Sequence, residues 1–425
     1  VTLRDLARSR RATASLSEKG LFEPDSIKKH KHMVKRVVIS GAGIGGLATA
    51  LSCAKQGFDV TVLEQAKEIK EVGAGLQMSP NAMKVLQALD VSERLASVSF
   101  SPEYAGIRHY QTGAYFLKSP LGEAAVHRYD APYWHLHRAD LISVLYQACL
   151  ENQVDIKLNT QVTGYQNQPK QVEVQTNQGK ITADILVGAD GIKSTTRQAM
   201  KGEEAVEFTG QVAWRGTINT KQHPDLHIPP EACVWAGPAK HLVTYYLRGG
   251  DLINFVAVEE KADWQHENWR QEGDINTLRA SFSGWHPTVT KLLEACDESF
   301  IWALNSRPQL DSWRDGRVVL LGDACHPMLP FMAQGAAMAI EDAYVLSKSL
   351  KEHGDDIGLN HYQDARIPRT RAIQAMSKSN TSLFHMHGGA VGALRLNAVR
   401  LATRFMPSVA NTKLDPVYGY DATKV

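Results

Sequence analysis

The tightest constraint in the chain is Gly41-Ala42-Gly43-Ile44-Gly45-Gly46, set between an apolar run ending KRVVIS at Ser40 and a Leu/Ala-spaced run that reaches Lys55. A second apolar run, FDVTVLE, closes at Glu64. Strand, glycine turn, helix and strand within about 31 residues make a βαβ unit. In such a unit the glycines let the backbone approach a pyrophosphate at the helix N-terminus, where the helix dipole favours an anion. Glu64 ends the second strand, and a carboxylate there can accept both hydroxyls of a ribose. The same carboxylate repels a 2′-phosphate, so an adenine dinucleotide without one, FAD or NAD, is implied.

Further along, Ser79-Pro80 reads as a helix start, a Ser cap followed by proline at the first position, with the helix running to Leu89. His137-Arg138-Ala139-Asp140-Leu141 opens another helix, which reaches Leu150. The alternating segments VDIKL, QVTGY, VEVQT and ITADILVGAD predict a β-meander returning to a buried parallel strand. Between Gly210 and Arg307, short strands (QVAWRGTI, HLVTYYL, DLINFVAVEE) give way to amphipathic helical stretches (INTLRASFSGW, PTVTKLLEAC), which predicts a separate sheet-plus-helix domain. RVVLLGDACHP is then a strand entering a turn, and residues 333–350 and 361–384 are long helical patterns. The first of these carries Met338, Ile340, Ala343 and Leu346 at core spacing. No Gly/Ser linker separates the domains, so they are expected to interleave.

Two later segments separate FAD from NAD. Asp184-Ile-Leu-Val-Gly188-Ala189-Asp190-Gly191, followed by Ser194 and Arg197, and Arg317-Val-Val-Leu-Leu-Gly322-Asp323-Ala324-Cys325-His326-Pro327 each put an Asp at the C-terminal end of an apolar strand. There a doubly wound sheet presents groups to a ligand. A simple dehydrogenase leaves the second segment unexplained. Together with the glycine turn and the HRADL segment, these resemble the fingerprints of the single-component flavoprotein aromatic hydroxylases, the para-hydroxybenzoate hydroxylase superfamily, over residues 34–422. GAGLQMSPNAMKVLQAL (73–89), MLPFMAQGAAMAIEDAYVL (328–346) and VYGYD (417–421) resemble the branch of salicylate hydroxylase, 3-hydroxybenzoate 6-hydroxylase and 6-hydroxynicotinate 3-monooxygenase. EACVWAG around Cys233 is most similar to the hydroxynicotinate enzymes, whereas Gln77 stands where their His is expected.

The resemblance implies an α/β fold: a Rossmann-like FAD-binding domain (34–107, 138–209 and 308–352) interleaved with a β-sheet substrate domain (108–137 and 210–307), plus a C-terminal helical region (353–425). Residues 1–33 are expected to be a dispensable extension. It also implies FAD as cofactor, with NADH or NADPH as a transient co-substrate, and hydroxylation of a small phenolic aromatic acid by dioxygen through a C4a-hydroperoxyflavin. Decarboxylation accompanies the reaction in a salicylate-type enzyme. Carried over by position, Gly41, Gly43 and Gly46 form the pyrophosphate turn, Glu64 holds the adenosine ribose and Arg138 the pyrophosphate. Asp323 bonds the ribityl chain, and Asp190 with Gly191 serves both FAD and the docking nicotinamide. His241 and Tyr245 match the pair that this branch uses at the substrate ring. They sit four apart on HLVTYYL, where period-two alternation puts both on one face. His241 is expected to act as base or proton relay and Tyr245 as a hydrogen-bond partner. Pro330 and Gln334 are expected to contact substrate, Gln334 being equally readable as polarity at a helix start.

Composition narrows the partners. A net charge of +2, with eight basic against four acidic residues in the first 32, leaves a slightly acidic remainder and no sign of a nucleic-acid partner. The five cysteines lie far apart with no Cys-x-x-Cys pair, which fits reduced thiols and a cytoplasmic location. Cys325 reads as a small buried thiol, and His135 and His137 lack a third ligand at a workable spacing, so no metal site is expected. No window of 18 apolar residues occurs; residues 388–410 are interrupted by Arg395, Arg400 and Arg404, so no membrane span is expected. A homodimer is compatible with all of this. Three other classes make different demands: an NAD-dependent dehydrogenase leaves Asp190 and Asp323 unexplained, a flavin halogenase calls for the absent Trp-x-Trp-x-Ile-Pro, and a non-catalytic FAD-binding regulator would not consume NAD(P)H.

Overall fold

The computed structural model describes residues 35–69, 75–262, 271–386 and 412–425. The expected extension at 1–33 and the arginine-interrupted stretch at 388–410 lie outside them. In chain order, β1 (Arg36–Ser40), α1 (Ile44–Lys55) and β2 (Asp59–Leu63) form the opening βαβ unit, followed by β3 (Gly75–Met78), α2 (Pro80–Ala88) and α3 (Ser92–Ala96). Next come β4 (Tyr104–His109), β5 (Tyr115–Pro120), α4 (Glu123–Tyr129), β6 (Trp134–His137) and α5 (Arg138–Glu151). Then follow β7 (Asp155–Lys157), β8 (Val162–Asn167), β9 (Val172–Thr176), β10 (Gly179–Ala183), β11 (Ile185–Gly188) and α6 (Thr195–Lys201). The middle of the chain holds β12 (Glu207–Asn219), β13 (Glu231–Gly237), β14 (Lys240–Leu247), β15 (Leu252–Glu260), β16 (Gln271–Gly273), α7 (Ile275–Ser281), α8 (Pro287–Glu294) and β17 (Ser299–Ser306). The described chain ends with β18 (Arg314–Asp315), β19 (Val318–Leu320), α9 (Gly335–His353), α10 (Asp355–Phe384) and α11 (Asp415–Tyr418).

A six-stranded sheet in the order β18-β19-β11-β1-β2-β7 is parallel except at β18. Its central strands are apolar on both faces, as burial under helices requires: Val37, Val38 and Ile39 of β1 are fully buried. α1 covers one face with Leu47 and Leu51, each side chain contributing roughly 1.5–3 kcal/mol by burial. The expected meander exists as β8, β9 and β10, but VDIKL is not part of it: β7 pairs parallel with β2 at the edge of the main sheet. The run ITADILVGAD, expected as one strand, divides at Asp184, whose carboxylate accepts a hydrogen bond from the Arg36 backbone N–H at 2.8 Å. β10 therefore belongs to the meander and β11 to the parallel sheet.

The second large sheet has eight strands, in the order β16-β17-β12-β15-β14-β13-β4-β5. One face is sealed by α7 and α8, where Leu278, Phe282, Val289 and Leu292 meet Trp235, Leu242 and Phe255. The alternate residues of the same strands face the other way. The domain boundary expected between residues 107 and 108 falls inside β4, which already belongs to this sheet, while β6 pairs instead with β3. The helix expected over 361–384 begins six residues earlier, at Asp355, and passes through Pro368. Tertiary contacts outweigh the proline's missing donor there: Arg366 and Arg369 flank it and both bind Glu341 of α9.

Candidate functional site

A cavity of about 830 Å³ is lined by strands of the eight-stranded sheet, by the turns that follow β11 and β19, by the glycine turn and by α10. Gly43, Ile44, Gly45, Arg138, Gly191 and Asp323 line it, as do His241, Tyr245 and Pro330. Residues up to 375 positions apart in the sequence, Gly43 and Tyr418, thus reach one space.

The glycine turn is built for close approach. Gly41 has φ +99°, and a Cβ on Gly46 would lie 1.9 Å from the Gly41 carbonyl oxygen, so both are required by the turn itself. Gly43 differs. Its backbone is ordinary extended (φ −73°), and a Cβ there would meet nothing within 4 Å. It opens α1 with no side-chain cap and no acidic residue in the first turn, which leaves a positive helix end facing open space. Glu64 accepts from the backbone N–H groups of Ala42 and Ala66, both at 2.8 Å, and so fixes the turn from outside the cavity. Two carboxylate oxygens retain acceptor capacity beyond those two bonds.

The two Asp turns have different uses. Asp190 does not line the cavity: its carboxylate accepts from Ser194 Oγ, from Thr195 Oγ1 and from both the backbone N–H and Oγ1 of Thr196, and so organises the start of α6. Asp190, expected with Gly191 to serve FAD and the nicotinamide, is engaged within its own turn, and that turn offers the cavity Ala189 and Gly191. Asp323 accepts no hydrogen bond from the described residues and faces the cavity. The protein walls around it raise its pKa, while His326 and Arg138 pull the other way, and the side chain stays exposed to the cavity. Arg197, also buried, ties the two turns together by donating to the carbonyls of Ala324 (3.2 Å) and Pro308 (2.8 Å). A positive helix end, an open glycine, an unengaged carboxylate and a cavity-facing Arg138 together fit a flavin dinucleotide.

On β14, His241, Val243 and Tyr245 line the cavity as alternation requires, joined by Val256 and Val258 of β15 and Val234 of β13. Burial and the neighbouring His385 hold the His241 pKa well below that of an ordinary imidazole. Burial raises the Tyr245 pKa, so its hydroxyl stays protonated as a donor. Gly75 crosses directly over Tyr245, where any Cβ would strike the ring at 2.4 Å. Of the expected substrate contacts, Pro330 lines the cavity but Gln334 does not. Gln334 is 1% exposed, its amide donating to Ser79 Oγ at 2.8 Å and accepting from Asn81 at 3.0 Å, so it is corrected to a member of a buried polar network. Cys233 likewise turns away into the core under α7 and α8, leaving Ala232 at the cavity.

Sequence reasoning missed several cavity residues. Tyr133 and Tyr418 line it with their hydroxyls interacting, and Tyr133 donates to Gln77 Oε1 at 2.7 Å. It also missed that His241 Nδ1 lies 2.9 Å from His385 Nε2, and His385 Nδ1 2.6 Å from Glu260 Oε1. Nothing in the spacing of positions 241, 260 and 385 signals that contact. Cys325, His326 and Asp342 lie close enough together to suggest metal ligation, but Asp342 is committed to Arg366, His326 and the Gly322 N–H.

The family model described as "FAD binding domain" matches residues 35–377. The chain is 36% identical over 354 residues to 6-hydroxynicotinate 3-monooxygenase of Pseudomonas fluorescens, covering 82% of this chain and 91% of that one. It is 35% identical over 360 residues to 3-hydroxybenzoate 6-hydroxylase of Klebsiella oxytoca (84% and 90% covered). With 3-amino-4-hydroxybenzoate 2-monooxygenase PtmB3 of Streptomyces platensis it shares 33% over 396 residues (92% and 97%). Among solved structures, a salicylate hydroxylase substrate complex superposes with TM-score 0.77 at 24% identity, covering 92% of this chain and 97% of that one.

Proposed function

The chain belongs to the FAD binding domain family and is an FAD-dependent monooxygenase of the aromatic-hydroxylase kind; from that premise we propose that it hydroxylates a small phenolic carboxylic acid held between His241 and Tyr245. The observation that carries this reading is the single cavity that His241, Val243 and Tyr245 share with Gly43, Arg138 and Asp323. When bound, FAD supplies the redox chemistry that these side chains lack, taking reducing equivalents from NAD(P)H and activating dioxygen. Gly43 and the start of α1 would hold its pyrophosphate with Arg138, Glu64 its adenosine ribose and Asp323 its ribityl chain, while Gly191 gives backbone access for the visiting nicotinamide.

The chain's own contribution is orientation, exclusion of water and proton handling. The valines of β13, β14 and β15 form a dry wall for an aromatic ring. A phenolate attacks an electrophilic oxygen far better than a phenol, whose pKa near 10 keeps it protonated at neutral pH. His241 therefore takes the hydroxyl proton, and Tyr245 donates to the carboxylate at the opposite end of the ring. The cofactor part comprises 34–103, 138–209 and 308–352, with β4, β5 and 210–307 forming the substrate part. A reducing compartment suits five cysteines that form no disulfide, and a homodimer is the assembly we propose. Among the described residues no helix is long and apolar enough to cross a membrane.

Similarity to the 6-hydroxynicotinate enzymes supports that pyridine acid as the second reading. NAD(P)H oxidation with salicylate, 3-hydroxybenzoate, 3-amino-4-hydroxybenzoate and 6-hydroxynicotinate, with products identified by mass, chooses between them. Replacing His241 by Asn is expected to slow hydroxylation about 10²–10⁴-fold, raise hydrogen peroxide and leave FAD bound. An unchanged hydroxylation rate and coupling in single-turnover stopped-flow would remove His241 from the reaction.

A further inference from the structure

His241 poses a problem as a base. It is 1% exposed and ringed by Phe331, Phe384 and His385, with centroids 5.0–5.2 Å away. An imidazolium formed there would be a buried, poorly solvated cation. A phenol's proton has to pass through this ring rather than rest on it.

The path onward is present. His385 is wholly buried at the end of α10, and Glu260 at the end of β15 is exposed, its side chain 35% accessible. Backbone hydrogen bonds fix both: the Ala239 N–H donates to the His385 carbonyl at 3.0 Å, and the Glu260 N–H donates to the Ala239 carbonyl at 3.1 Å. The hairpin between β13 and β14 thus holds all three side chains in line. Among the described residues, Lys240 is engaged with Ser281, and Glu259 with Trp214, Ser281 and Lys261.

We propose that Glu260 and His385 form a proton conduit that connects His241, at the cavity, with solvent. The assignment rests on the reading of His241 as the group that deprotonates substrate. The Glu260 carboxylate oxygen accepts from His385 Nδ1 at 2.6 Å, and so fixes His385 as the Nδ1–H tautomer. His385 Nε2 then accepts from His241 Nδ1–H, which leaves His241 Nε2 as the lone pair offered to substrate. In the transfer, the substrate O–H bond breaks and its proton bonds to His241 Nε2. His241 Nδ1 gives its proton to His385 Nε2, His385 Nδ1 gives its own to the Glu260 carboxylate, and Glu260 releases it to water. The substrate keeps the electron pair as phenolate, and neither ring is left charged. After oxygen transfer a proton from water passes inward along the same atoms, and His241 Nε2 gives its proton to the product's phenolate oxygen, which resets both tautomers. Glu260 and His385 are positioning residues here, and only His241 meets substrate.

Two measurements test this. The first is ¹⁵N-histidine NMR of the FAD-loaded protein without substrate, which is expected to show His241 and His385 both as Nδ1–H tautomers; an Nε2–H tautomer at His241 overturns the conduit whatever the substrate is. The second is anaerobic stopped-flow with 3-hydroxybenzoate and a pH-indicator dye, following proton release on binding. Glu260→Gln and His385→Gln keep a hydrogen-bonding side chain but cannot pass a proton, and they are expected to slow release by about tenfold or more with unchanged FAD content and dissociation constant. If both release protons at the wild-type rate while His241→Asn does not, the conduit is wrong and the base reading stands. If His241→Asn also matches wild type, the base reading itself falls.

Discussion

Gly43 and Gly46 sit three residues apart in the same turn, yet the structure separates what each is for. A side chain at Gly43 meets no protein atom, whereas one at Gly46 collides with the Gly41 carbonyl. Gly43→Val is therefore expected to leave the melting temperature of the cofactor-free protein within a degree or two while abolishing FAD retention. Gly46→Val is expected to lower that melting temperature outright, an overpacking cost of roughly 1–3 kcal/mol or more. Absorbance of the purified flavin beside a thermal melt checks both, and stoichiometric FAD on Gly43→Val would refute the pyrophosphate assignment. His135 offers a test by pH. It is fully buried, its Nδ1 3.2 Å from the Tyr246 carbonyl, and desolvation lowers its pKa to about 3. Since its unfolded value is near 6.5, the unfolded chain binds the extra proton below that pH, so the stability conferred by a neutral His135 is complete above pH 6.5 and declines as pH falls towards 3. By pH 4.5 the loss is on the order of 3 kcal/mol. His135→Asn, which keeps the donor but does not titrate, is expected to flatten this acid limb in denaturant unfolding measured from pH 7 to 4.5.

At the scale of elements, α9 and α10 are joined by charge rather than by grease alone. Arg366 is 0% exposed and donates to Asp342 at 2.7 Å and to Glu341 at 2.6 Å, while Arg369 makes two further bonds to Glu341. Asn81 of α2 completes the network by donating to Glu341 at 2.7 Å. Both carboxylates keep their pKa below the ordinary range despite burial, Asp342 through His326 and then Arg366, Glu341 through Arg366 and Arg369. Arg366→Met would leave Asp342 only His326 and the Gly322 N–H, and Glu341 only Arg369 and Asn81, and a loss of about 3 kcal/mol is expected on chemical denaturation. A change below 1 kcal/mol would mean that the network contributes nothing net. The same network explains why α10 runs through Pro368, a residue that reads in sequence as a helix stop.

For the whole molecule, the buried core of the described residues begins at Val37, so a chain starting at Met33 is expected to keep its melting temperature and turnover. Loss of soluble protein on that truncation would contradict it. The βαβ unit, the two Asp-ended strands, most helices and the shared face of His241 and Tyr245 were legible because each is a local pattern: a strand alternates, a glycine turn has few alternatives, and a proline marks a helix's first position, although Ser79 before it donates to Asn81 instead of capping. The sheet memberships of β7 and β10 were not, since short strands of like composition choose partners by long-range register. Nor was the direction taken by a polar side chain. Gln334, Asp190 and Cys233 sat in the right motifs, but each was turned away from the cavity by neighbours distant in the chain or by its own turn. His385 and Glu260 carried no motif at all. Sequence by itself determined that this chain binds a dinucleotide on an α/β scaffold, because periodicity and glycine sterics act over a few residues. Only the tertiary structure decided which polar groups face the ligand, because burial obliges each of them to find a partner, and those partners lie up to 255 residues away.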